Sequence, residues 1–277
     1  MLPGLEMFAY GFMQRAFLAG LLVGAIAAAI GVFLILRGWS MIGDGLAHIA
    51  FGGVALGLLA NAYPLGVALA FAVAGALGIH VLRERGIVLG DTAIAIFFTT
   101  GLAVGVILVS LSGGFTVDLF SYLFGSIVAV GPEDLLLVGG FGAVLLGTMA
   151  LLYKEFLYLT FSEEAARVSG LPVRALNLVF AVLTAVTIVI AARVVGVLLV
   201  SALLVVPAAT SLQLRQSFGR TLALSIVVAL ATVSVGLYVA YVADVAAGGA
   251  IALVSVAGFF TVLAPKALVQ AAGRAAG

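Results

Sequence analysis

The chain has 277 residues, 65% of them hydrophobic and 8% charged, with a mean hydropathy of +1.38 and a formal net charge of +1. Soluble domains carry about a quarter charged residues, so this composition excludes one, and the near-neutral balance excludes an electrostatic binder of nucleic acid. There is no cysteine, which removes disulfides, thiolate metal sites and thiol redox chemistry.

Apolar runs fall at 12–36, 44–62, 64–82, 91–111, 133–153, 173–192, 195–213, 221–242 and 248–265. Each approaches the roughly 20 residues with which a helix crosses a bilayer. The expected fold is therefore all-α, a polytopic transmembrane helix bundle of about 8–9 membrane segments, forming a single domain over 1–277 with no soluble unit. A shorter apolar piece, 117–130, is expected to be interfacial or re-entrant. The run from Ala16 is too long for a cleaved signal peptide and lacks a small-residue cleavage pattern, so it is expected to remain as the first span.

Orientation follows the basic residues. With nine crossings and an outer N-terminus, inner loops hold Arg37, Arg83, Arg85, Lys154, Arg167, Arg174, Arg215 and Arg220, and the inner C-terminus holds Lys266 and Arg274. Only Arg15 and Arg193 of the twelve basic residues are left outside. A re-entrant segment in place of one crossing would shift part of this assignment, but the longest polar loop, 154–172, is expected to be cytoplasmic.

Glycines four apart (Gly20 and Gly24, Gly53 and Gly57, Gly101 and Gly105) predict close helix packing, and such faces could also serve a second copy of the chain. Pro207 is expected to kink or break the span 195–213.

Polar residues in three places call for a reason. In GDGLAHIAFGG, Asp44 and His48 lie one helical turn apart on one face. A carboxylate and an imidazole suit zinc, manganese or ferrous iron; alternatively Asp44 caps the helix next to Arg37 while His48 bonds a neighbouring helix. In FTVDLFSYLFGS, Asp118, Ser121, Tyr122 and Ser126 either line a pathway or belong to an interfacial aromatic belt. In FSEEAARVSGLPVR, Ser162 is a suitable N-cap, Glu163 and Glu164 occupy the first turn, Gly170 is a stop and Pro172 forbids continuation. That pattern predicts a two-turn helix carrying Arg167, too short to stand alone in water.

Taken in order, QRAFLAGLLVG, GVFLILRGWSMIGDGLAHIAFGGVALG, DLFSYLFGSIVAV with PEDL, FSEEAARVSGLPVR and RVVGVLLVSALLVVPAATS resemble the membrane (permease) subunit of the zinc/manganese/iron ABC importers. The resemblance implies a multi-pass protein of the cell membrane that moves zinc, manganese or iron inward, driven by ATP bound and hydrolysed by a cytoplasmic ATPase dimer. It also implies a second copy of the chain, contact with membrane lipid, and an external metal-binding protein. Asp44 and His48 match the family's GD-x3-H pattern on the metal path, Pro207 its VPAAT stretch, and 162–169 the coupling helix, with Ser162, Glu163, Glu164, Arg167 and Gly170 at the ATPase. Asp118, Ser126 and Pro207 are possible pathway residues; Ser126 departs from relatives that carry Asp or Asn there. The chain has no phosphate-binding loop of its own, consistent with a transport subunit that is not itself an enzyme and has no cofactor of its own. An ion-driven secondary metal transporter and a non-transporting membrane scaffold remain as alternatives.

Overall fold

The computed structural model describes residues 6–114, 117–126 and 130–275, without the side chains of 90, 117, 118 and 265–275. After a 3-10 turn, Glu6–Ala9, twelve helices follow: α1 (Gly11–Leu36), α2 (Ile42–Leu59), α3 (Pro64–Glu84), α4 (Gly90–Leu111), α5 (Val117–Phe124), α6 (Pro132–Leu151), α7 (Tyr153–Phe161), α8 (Glu163–Val168), α9 (Val173–Val195), α10 (Val200–Leu212), α11 (Phe218–Ala243) and α12 (Ala247–Ala275). Eight of them, all but α5, α7, α8 and α10, are long and apolar enough to cross a membrane.

Side-chain contacts sort the helix ends into two groups. At one end, the residue after α1 (Arg37) meets Glu163 and Asn177, Arg83 covers Trp39, and Arg174 pairs with Glu84. Phe218, which opens α11, packs on Phe33 and Phe161 at this same end. At the other end, Arg193 near the close of α9 grips Asp134 at the start of α6. The positive-inside rule assigns the cation-rich end to the cytoplasm, which would put the start of α1 outside and 152–172 inside.

The seventh expected span departs from expectation. α9 runs on to Val195, and the next helix begins only at Val200. α10 has 13 residues, about 20 Å of helix against a hydrocarbon layer of about 30 Å. It nevertheless carries the chain from the outer end of α9 to the inner start of α11. The chain stays helical through Pro207 and breaks instead at 196–199, where Gly196 has φ of +90°. Non-helical backbone at membrane depth needs partners. The end of α5 supplies them: Val197 N–H donates to Tyr122 O at 2.9 Å and Leu198 N–H to Leu123 O at 3.2 Å. The short segment near 117–126 is thus a turn of chain lodged among α2, α9 and α12.

Several helix contacts rest on small residues, as expected where lipid removes the hydrophobic drive between helices. Gly20 and Gly24 receive Val233 of α11, Gly53 meets Ala68 of α3, Gly57 meets Pro64, and Gly101 lies against Ile49 of α2. These glycines close helix contacts within the chain, which removes them as the motivation for a contact between two copies. The polar loop 154–172 also holds more helix than expected: α7 precedes α8 and buries Phe156 and Leu159 in an aromatic cluster around Phe33.

Candidate functional site

Asp44 is the third residue of α2, a helix whose other faces are largely buried. The N-cap position is Met41 and no side chain caps α2. Arg37 turns instead to Glu163 and Asn177. Both features of the capping alternative are therefore missing, and the half-exposed carboxylate lies on the same helical face as half-exposed His48. The His48 ring packs on Phe98 of α4 with centroids 4.1 Å apart, and its Nδ1 is buried without a hydrogen-bond partner. α4 can come this close because Gly101 lies 2.6 Å, measured from a notional Cβ, from the Ile49 backbone.

The pair is not at the membrane surface. Beside it, Gly43 touches Leu204 of α10, and the Leu204 carbonyl presses on Gly31 of α1. Gly31 is five residues inside the end of α1, about 8 Å along the axis, and His48, five residues beyond Gly43, lies about 8 Å further towards the outer side. α2 thus starts about level with Gly31 and not at the end of α1, which sets the pair deeper than the helix ends. Among the described residues no group of three or more His, Cys, Asp or Glu could hold a metal. Asp44 and His48 are two side chains of ligand type, too few for a closed cage.

The other expected pathway residues lie on other segments of the chain. The Asp118 side chain and residues 127–129 lie outside the described residues. Ser126 is half-buried immediately after Gly125, in the contact with the 196–199 break. Pro207 is buried in α10, which packs on α1 and α2.

The cytoplasmic helix α8 has the local structure its sequence predicts. Ser162 Oγ accepts the Ala165 N–H at 3.1 Å, Glu163 and Glu164 fill the first turn, and Gly170 has φ of +83°. Tyr158 and Ser169 hydroxyls meet at 3.1 Å and tie α7 to the end of α8. Glu164, Arg167 and Val168 are exposed, Val168 at 90%. Glu163 behaves differently: its Oε1 accepts hydrogen bonds from Arg37 and Asn177, so its carboxylate faces the transmembrane helices.

Three groups escaped sequence reasoning. Asn177 was hidden in the apolar run of α9, although an amide in such a run is itself a signal. Asp134 is 6% exposed and takes a bidentate bond from Arg193, at 2.8 and 2.7 Å; the signal was Arg193 as a misfit in the charge count. A cavity of about 560 Å³ opens between α8 and the inner ends of α1, α3 and α9, lined by Arg37, Trp39, His80, Arg83, Glu84 and Arg174 among others.

The family model described as the ABC 3 transport family matches residues 9–266. The chain is 35% identical to the "Manganese transport system membrane protein MntC" of Listeria innocua, over 93% of this chain and 92% of that protein. It is 33% identical to the "Probable iron transport system membrane protein" of Haemophilus influenzae, over 94% and 96%. Among solved structures it superposes on PsaBC from Streptococcus pneumoniae, in complex with Fab, with a TM-score of 0.83, 33% identity and coverage of 94% and 92%.

Proposed function

The chain belongs to the ABC 3 transport family, a multi-pass protein of the cell membrane, and from that premise we propose that it passes a divalent transition-metal ion into the cytoplasm. The names of its relatives lean towards manganese, with iron beside it. The ligand types, a carboxylate and an imidazole without thiolate, suit manganese, iron and zinc. The reading is carried by one observation: Asp44 and His48 share the half-exposed face of a helix buried elsewhere, with His48 Nδ1 unpartnered.

The two side chains act as a weak station. A deprotonated carboxylate attracts the dication and a neutral imidazole nitrogen donates to it; a two-ligand contact holds the ion too loosely to trap it. A second copy of the chain brings a second pair, and four ligands meet if the two faces share the symmetry axis. ATP is bound and hydrolysed by a cytoplasmic ATPase dimer. It docks on the exposed face of α8, where Val168 is an uncovered apolar contact between charged Glu164 and Arg167. An external metal-binding protein delivers the ion at the outer end.

The test is metal uptake, measured by elemental analysis, in a strain lacking its own high-affinity importers and supplied with this chain and its cognate ATPase. Asp44→Asn and His48→Leu are expected to reach the membrane and assemble with the ATPase, yet lose most of the uptake. Normal uptake by Asp44→Asn overturns the pathway reading. ATP-independent uptake points to a secondary transporter, and a chain that changes no cellular metal is a scaffold.

A further inference from the structure

Only residues 37–41 separate α1 from α2, and they form a stiff turn. Trp39 N–H donates to Leu34 O at 2.8 Å and Ile42 N–H donates to Trp39 O at 3.0 Å. Arg37 opens this turn with a side chain only 4% exposed. Its Nη2 donates to Glu163 Oε1 at 3.1 Å and to Asn177 Oδ1, and Asn177 Nδ2 donates to the same Glu163 oxygen at 2.9 Å. The end of α1, the first turn of α8 and the second turn of α9 therefore meet in one triangle of hydrogen bonds. The guanidinium is also stacked, 4.3 Å from the Trp39 ring centroid and 5.0 Å from that of Phe180. Arg83 of α3 lies 4.2 Å from the same indole.

α8 is otherwise loosely held. It has six residues and buries a single one, Ala166, and a helix that short does not persist on its own. Its neighbours must fix it, and the ion pair it makes to the transmembrane helices is the one from Glu163 to the largely buried Arg37. The guanidinium is nearly buried while the Glu163 carboxylate is half exposed, and removing the partner of a buried charge is unfavourable, so the two groups favour moving together. Asp44 lies only three residues beyond the turn.

We infer that Arg37, Glu163 and Asn177 form a positioning joint that carries displacement of α8 through the α1–α2 turn to Asp44 and His48. The inference rests on the transport reading above and assigns Glu163 a role different from its neighbours by its bonds, since its side chain is itself 46% exposed: Glu164, Arg167 and Val168 face the partner, whereas Glu163, bonded to Arg37 and Asn177, transmits. Loosening the joint leaves the ATPase bound and turning over while the metal pair no longer follows it.

Glu163→Gln tests this in the complex reconstituted with its ATPase and binding protein, since it preserves shape and an acceptor for Asn177 while removing the charge opposite Arg37. Metal uptake and ATP hydrolysis are measured on the same vesicles. Recovery of the complex is expected to be unchanged and hydrolysis to continue, while uptake per ATP falls about tenfold, the scale of a typical coupling free energy. Trp39 is the only tryptophan of the chain, so its emission in the purified chain alone reports the joint and is expected to shift in Glu163→Gln. The double variant Arg37→Gln with Glu163→Gln is expected to be no worse than Arg37→Gln alone, because one interaction is removed in both. Unchanged uptake per ATP in Glu163→Gln overturns the inference. So does loss of complex recovery with hydrolysis and uptake falling together, which makes Glu163 a docking contact. A wild-type complex that hydrolyses ATP but moves no divalent metal defeats the transport reading, and the inference with it.

Discussion

The two ends of the molecule are closed by different means. At the inner end, α8 is joined to α1 and α9 through the side chains of Arg37, Glu163 and Asn177. At the outer end, the turn after α5 meets the 196–199 break backbone to backbone, with Val197 and Leu198 N–H groups donating to Tyr122 and Leu123. A Cβ on Gly125 would lie 2.6 Å from the Val194 carbonyl oxygen, so nothing intervenes between the two strands of chain. Long side chains can swing while keeping their bonds; a contact between backbones at glycines cannot give without breaking. The comparison teaches that a link able to move with its bonds kept is placed where the ATPase is proposed to push, and rigidity where the bilayer must stay sealed.

The sharpest way to break this contrast is Gly196→Val. Gly196 has φ of +90°, and a side chain there would enter the backbone of Leu123 and Gly125. A β-branched residue in that conformation is strained even in open space. Almost no folded protein is expected in detergent, read as loss of the monodisperse peak in size-exclusion chromatography. A variant that folds and melts like the parent would remove the claim of rigidity at this end.

Asp134→Ala comes next. It leaves Arg193 without the carboxylate that takes both of its bonds, and it also removes the acceptor of the Gly131 N–H at 2.9 Å. Breaking a buried pair on one side costs about 3–5 kcal/mol, and the part-exposed position of Arg193 puts this one at the lower end. A clear fall in thermal midpoint is expected, with uptake by the surviving folded fraction little altered.

The smallest effect is expected at the compliant end. Ser162→Ala removes the cap of α8, an interaction worth about 1 kcal/mol. Because α8 contributes little to the bundle, the thermal midpoint should barely move, whereas proteolysis within 161–170 should accelerate. A drop in midpoint as large as that of Asp134→Ala would mean that both ends are equally rigid.

How far the structure could be foreseen depends on the range of each interaction. Run length alone located the long helices, because a bilayer imposes one thickness on every span. The cap and stop of α8 were legible because Ser162 and Gly170 act on backbone a few residues away. Pro207 misled: a proline in a span is the obvious breaker, yet the break fell at Gly196, one of 35 glycines with no local mark to distinguish it. Glu163 was hidden by its own good local explanation, since an acid in a first turn needs no distant partner, and Arg37 is 126 positions away. Asp44 and His48 were recognised as a pair from spacing, but their depth depended on α2 starting beside Leu204, which no local pattern encodes.

The seam at the outer end also sets an order of assembly. Residues 117–126 leave the ribosome some 70 residues before 196–199, with which their carbonyls pair, and Gly248, which packs on Phe124 O and Val195 backbone, comes later still. Until then the bond from Leu198 N–H to Leu123 O cannot form, and backbone pairing missing at membrane depth is costly. Closure of the seam is therefore a late step in biogenesis, and a chain stopped before about residue 250 holds its outer face open.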